Sequence, residues 1–205
     1  MQKLLIAGAA ALTLAACAGP QGPQATPEQI QAVSYRDAGP AYLTLYTMVN
    51  NRTGSGGHSA LLINGSQRVI FDPAGSFYAD VVPERNDVLY GITPAVEKAY
   101  RGAHARSTHH VVRQTIEVTP QQAEIALRSA QSIGATAGGF CANGTAQVLR
   151  RVPGFESISP VIQPTKLMAQ FDAIPGVVTD KYYEDDDGDL QRGLEQNNAK
   201  LNQQG

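Results

Sequence analysis

Short apolar runs broken by glycine- and asparagine-rich stretches fill the first half of the chain, and stripes at helical spacing follow. Residues 41–49 are rich in β-formers and stop at the loop signal of 50–57, Asn-Asn-Arg-Thr-Gly-Ser-Gly-Gly. A second strand is predicted over 58–63 and a third over 68–72, with Asn64-Gly65 as the hairpin turn between them. Asp72-Pro73-Ala74-Gly75 then reads as a turn. Thr93-Pro94 marks a short helix over 93–100 by its cap and its proline at the first helical position. Residues 110–118 alternate, which puts Val112, Gln114, Ile116 and Val118 on one face of a fourth strand. Thr119-Pro120 opens a longer helix with Ile125, Leu127, Ala130 and Ile133 as its apolar positions. Further helices are expected over 141–150, before Pro153-Gly154, and over 163–171. Strands first and helices afterwards define an α+β class, a small antiparallel sheet packed against helices.

The ends carry a different pattern. Residues 18–40 are rich in Pro, Gln, Ala and Gly with little to bury, and read as a flexible tether; the folded domain is expected over 41–178. Residues 179–205 are acidic, then Gln/Asn-rich, and are predicted to be disordered. Asp185, Asp187 and Asp189 alternate as calcium ligands do, but the flanking pattern and closing glutamate are missing, which leaves a solvated charge run. Residues 1–16 have the charged start, short apolar stretch and small-residue exit of a secretory signal, and the stretch is too short for a comfortable membrane span. Leu14-Ala15-Ala16-Cys17 resembles the bacterial lipobox. The resemblance implies that Cys17 becomes the acylated first residue of the mature protein and anchors it in a membrane. Ala18 in place of Asp gives no likeness to an inner-membrane retention signal, so the expected location is the outer membrane, facing the periplasm.

A net charge of −2 without a basic patch argues against nucleic acid as a partner. No sequence motif implies a cofactor. With Cys17 acylated, Cys141 is the one thiol left, and no disulfide can form within the mature chain. Such a cysteine is either a small buried hydrophobe or a reactive group.

Its neighbours point to reactivity. Gly138-Gly139-Phe140-Cys141 places the thiol where a glycine-rich approach becomes a helix, and a helix N-terminus favours thiolate through its dipole and unpaired N–H groups. His58 opens the second strand and is the candidate base. Asp72, at the end of the third strand, is the candidate to orient His58. A two-residue Asn64-Gly65 turn sets His58 across from Phe71 and points Asp72 to the other face, whereas a three-residue loop sets Asp72 across from His58. The alternative for Asp72 is a turn former ahead of Pro73. Other candidates rank lower. His109 or His110 could join His58 on zinc, yet no ligand-spaced pair such as HExxH is present. Asn143 reads as first-turn helix chemistry, His104 is a further histidine without an assigned role, and Ser59 and Tyr46 are possible pocket residues.

Gly57-His58-Ser59-Ala60-Leu61-Leu62-Ile63 followed much later by Gly138-Gly139-Phe140-Cys141-Ala142-Asn143-Gly144 gives the order histidine strand first, cysteine helix last. Over about residues 41–175 this resembles the circularly permuted members of the NlpC-type papain-like superfamily, which include the lecithin:retinol acyltransferase relatives. The resemblance implies a cysteine-dependent hydrolase or acyltransferase acting on an amide or ester, of cell-wall peptide or of lipid. The competing expectation is a non-catalytic envelope lipoprotein that binds peptidoglycan, lipid or a partner protein.

Overall fold

The computed structural model describes residues 24–203. The expected signal segment and Cys17 lie outside the described residues. The α+β class is what is found: a seven-stranded antiparallel sheet and six helices among the described residues. In chain order the elements are α1 (Pro27–Ala32), β1 (Tyr42–Asn50), β2 (Gly56–Asn64), β3 (Arg68–Phe71), β4 (Glu84–Arg85), β5 (Val88–Leu89), α2 (Pro94–His104), β6 (His109–Glu117), α3 (Pro120–Ile133), α4 (Cys141–Leu149), α5 (Pro164–Asp172), β7 (Val178–Tyr182) and α6 (Leu190–Asn202). The strand order across the sheet is β4-β5-β3-β2-β1-β6-β7.

The central strands are apolar on both faces because both faces are covered. On β1, Leu43 and Leu45 join Leu61, Ile63 and Phe71 in a core closed by α3, α4 and α5. The intervening Tyr46 and Met48 join Ala60, Leu62 and Ile70 in a second core closed by α2 and α6. Alternation along a strand sends successive side chains to opposite faces, so one nine-residue strand serves two cores. Thr93 and Thr119 cap α2 and α3 through their hydroxyls, each followed by proline at the first turn. A buried polar node lies beneath α2, where Glu97 accepts from the Tyr46 hydroxyl at 2.7 Å and pairs with Arg68.

Three expectations change. The β2–β3 turn is not two residues long: Asn64 pairs with Arg68 and Ile63 with Val69, leaving Gly65-Ser66-Gln67 as the loop. Glu124 explains the loop, since its carboxylate accepts the Ser66 N–H at 2.6 Å. The tether also folds before residue 41. Thr26 and Gln29 form a capping box on α1, Ile30 and Val33 pack on the core, and the Arg68 N–H donates to the Tyr35 carbonyl at 2.6 Å.

The acidic tail is structured as well. β7 pairs with β6, and Asp189 caps α6, which buries Leu194 and Leu201 against α2. The tail uses its charges as caps and pairs rather than leaving them all in water. Asp187 pairs with Arg192, and buried Arg106 donates to the Asp187 carbonyl at 2.7 Å. If α6 is integral to the fold, Leu194→Ala costs about 2–5 kcal/mol of unfolding free energy. Denaturant titration checks this, and a disordered tail would leave the midpoint unmoved.

Candidate active site

The candidate residues meet at one end of the sheet, where β2 begins, β3 ends, α4 begins and α2 ends. Cys141 is the first residue of α4; the preceding Gly139 has φ 82, a left-handed turn that glycine adopts without strain. The Cys141 thiol lies close enough to His58 and to the backbone N–H groups of Ser59 and Ala142 for each to favour its ionised form. Only 6% of the residue is exposed, so this thiol is buried among donors and an imidazole, not among aliphatic side chains alone.

His58 connects the two halves of the arrangement. Its Nε2–H donates to Asp72 Oδ1 at 2.7 Å, which leaves Nδ1 for Cys141. Asp72 also accepts the Tyr100 hydroxyl on the same oxygen at 2.7 Å. Extending the observed β2–β3 register sets Asp72 opposite Ala60, two residues along β2 from His58 and on the same face. Asp72 thus reaches His58 diagonally across the strands: the loop has the three residues of the second expectation but starts one residue later, which moves the partner of Asp72 from His58 to Ala60.

The electrostatics follow from these contacts. Burial alone would push the His58 pKa down, but the Asp72 charge and hydrogen bond, helped by Cys141, raise it to about 10. Burial would push the Cys141 thiol up, yet His58 and the N–H groups of Ser59 and Ala142 bring it below the ordinary thiol value. Burial likewise opposes ionisation of Asp72, and His58 more than compensates, so the carboxyl lies below its usual range. Each shift favours the charged form, so the series leans toward thiolate, imidazolium and carboxylate.

Residues outside the expected set hold this series in place. Asp87 accepts the Asp72 N–H on its carbonyl at 2.7 Å, and its carboxylate accepts the N–H groups of Ala74 at 3.1 Å and Thr136 at 2.7 Å. It therefore ties the Asp72 turn to the glycine-rich approach of Cys141. A Cβ at Gly75 would come within 1.9 Å of Asp72 Oδ2, so this turn can close only on glycine. Tyr100 and His104, one turn apart on α2, both reach the site. The His104 ring lies 6.0 Å from that of His58 and nearly parallel, at 12°. The single sequence clue to this pair was its spacing of four on one helix face.

The remaining candidates fall elsewhere. Tyr46 is fully buried on Glu97 and lines no opening at the site. The backbone N–H of Ser59 is among the groups that lower the Cys141 pKa, while its hydroxyl is buried without a hydrogen-bond partner. Asn143 accepts from Gln147 one turn along α4, as first-turn helix chemistry predicts. His110 donates to Asn51 at 2.8 Å and stacks on Tyr183, and His109 bonds Thr108. Among the described residues no group of three or more His, Cys, Asp or Glu is arranged to hold a metal ion. Comparison with family models, curated proteins and solved structures returned no match for this chain.

Proposed function

We propose that the chain is an envelope lipoprotein whose domain hydrolyses or transfers an acyl group through Cys141, with His58 as acid–base and Asp72 as its orienting partner. The observation that carries this reading is the placement of His58, bonded through Nε2 to Asp72 and close enough to a thiol at a helix N-terminus for each to shift the other's pKa. The order of histidine strand and cysteine helix supports a permuted papain-like arrangement.

In this mechanism the Cys141 thiolate attacks the carbonyl carbon of an amide or ester. The carbonyl π electrons move to oxygen, and the orphan first-turn N–H of Cys141 is a donor for that oxyanion. On collapse the C–N or C–O bond breaks and His58 gives its Nδ1 proton to the leaving group. An acyl-thioester remains. Neutral His58 then takes a proton from water or a second nucleophile, which adds to the thioester and releases the thiolate. Asp72 stays ionised throughout and stabilises the imidazolium each time it forms. Acylation of Cys17 would tether the domain to the periplasmic face of the outer membrane, within reach of cell-wall peptides and lipid headgroups.

The direct test uses p-nitrophenyl acetate. Wild-type protein is expected to give a burst of nitrophenol stoichiometric with protein and an acetyl-sized mass gain on the peptide containing Cys141, and Cys141→Ala neither. A folded wild-type protein that never acylates removes the catalytic reading. The near-complete burial of the sulfur favours, in that event, the second reading, an envelope protein that binds its partner without turning it over.

A further inference from the structure

A cavity of about 210 Å³ is lined by His58 and lies between the starts of β2 and β6, the end of α2 and the tail. Met48, Gly57 and Leu190 give it apolar walls, and His58, His104 and His109 line it with rings. At roughly 30 Å³ per water it would hold about seven waters, or one small side group. A larger groove of about 530 Å³, between Asn143 and Lys166, contains none of the three candidate catalytic residues.

The polar lining selects among ligands. His104 is only 7% exposed, and its Nδ1–H donates to the Tyr100 carbonyl at 2.8 Å, so the ring nitrogen it can offer is Nε2, an acceptor. Burial, together with the charge of His58 and against the pull of Asp72, lowers the His104 pKa to about 4 and keeps that ring neutral. An acceptor nitrogen repels a carboxylate or phosphate oxygen. Arg106, also in the wall, offers an anion little in return: Nε is spent on the Asp187 carbonyl, Nη1 on the Gly102 carbonyl and the Asp186 carboxylate, and Nη2, though without a hydrogen-bond partner, is sealed from solvent against Gly193 of α6. Its charge and that of the His58 imidazolium disfavour an ammonium group. His109 and Thr108 bond one another at 3.0 Å.

We infer that this cavity is a binding subsite for an uncharged substrate group carrying an O–H or amide N–H, no larger than a glutamine side chain, which donates to His104 Nε2. The inference rests on the proposed thiol chemistry only for the role of His58 in its wall. On that reading it names the substrate class, an acyl compound with a small neutral amide or hydroxyl group within reach of His58.

The test is nitrogen-15 NMR of the histidine-labelled full chain at neutral pH, with the His104 resonances assigned by their loss in His104→Gln. Acetamide is expected to shift Nε2 saturably with a dissociation constant on the order of 10 mM, modest for so small a probe. Methylammonium and acetate are expected to shift it at least about tenfold less at equal concentration, which corresponds to about 1.4 kcal/mol of discrimination. Leu190→Trp, at a partly exposed tail position, is expected to fill the cavity and abolish the acetamide shift. No acetamide shift, equal shifts by methylammonium, or a shift surviving Leu190→Trp each overturn the subsite. Iodoacetamide reactivity of Cys141 is read in parallel. A bound acetamide beside an inert thiol keeps the subsite and removes the catalyst; a reactive thiol without acetamide binding does the reverse.

Discussion

Asp72→Ala is expected to lower the unfolding free energy by about 3–5 kcal/mol, because it strands a buried imidazolium without its counter-charge. It also removes the acceptor of the Tyr100 hydroxyl. The pH dependence separates this from a packing defect. The folded pKa of Asp72 is depressed, so its contribution is present above the ordinary carboxylate value and is lost as pH falls through the lower folded value. His58 runs the other way. Its pKa rises from 6.5 to about 10, so its contribution is complete below the unfolded value and disappears as pH climbs to about 10. The gap between wild type and Asp72→Ala should therefore be widest around pH 5–6 and shrink toward pH 10. Urea titrations at pH 5.5 and 9.5 decide it; a gap of equal size at both would show that the ion pair is not its source.

Alkylation of Cys141 by iodoacetamide is expected to stay fast at pH values where that of a free cysteine has slowed. An ordinary thiol of pKa about 8.5 is only about one part in three hundred thiolate at pH 6. The Cys141 thiol is lowered despite its burial, so its alkylation rate should rise with pH at a midpoint below that of a free cysteine. His58→Gln keeps a polar side chain but removes the positive charge. Its midpoint is expected to move up and its rate at pH 6 to fall by at least about tenfold, a change worth about 1.4 kcal/mol. Intact-protein mass spectrometry reads both variants. Identical midpoints would mean that the thiolate owes nothing to the imidazole, and the acid–base assignment of His58 would be lost.

Much of the fold was legible because local rules dominate where it was read correctly. β1 and β2 are apolar runs closed by glycine and asparagine, and Thr93-Pro94 and Thr119-Pro120 start helices by the same capping chemistry. The short strands β4 and β5 escaped notice. They are two residues each, joined by Asn86 and Asp87 at φ 52 and 62, a primed turn without the expected glycine. α6 escaped for another reason. Its stripe is only Leu190, Leu194 and Leu201 among Gln, Asn and charged residues, enough to dock on α2 but too thin to outweigh the polar composition.

At the site, the residue types and their order along the chain singled out Cys141 and His58, since a lone thiol after paired glycines and a histidine at a strand start are local features. Their pairing is not local. It depends on a Gly65–Gln67 loop set by Glu124, on the Asp87 clamp and on α2 bringing Tyr100 and His104 over the sheet. The sequence alone thus determined the α+β class, the main elements and two of the candidate site residues. Tertiary structure alone decided that Asp72 reaches His58, that His104 stands beside it and that the tail closes the neighbouring cavity. Backbone propensities act over a few residues, whereas hydrogen bonds between distant strands and helices exist only once both cores have formed.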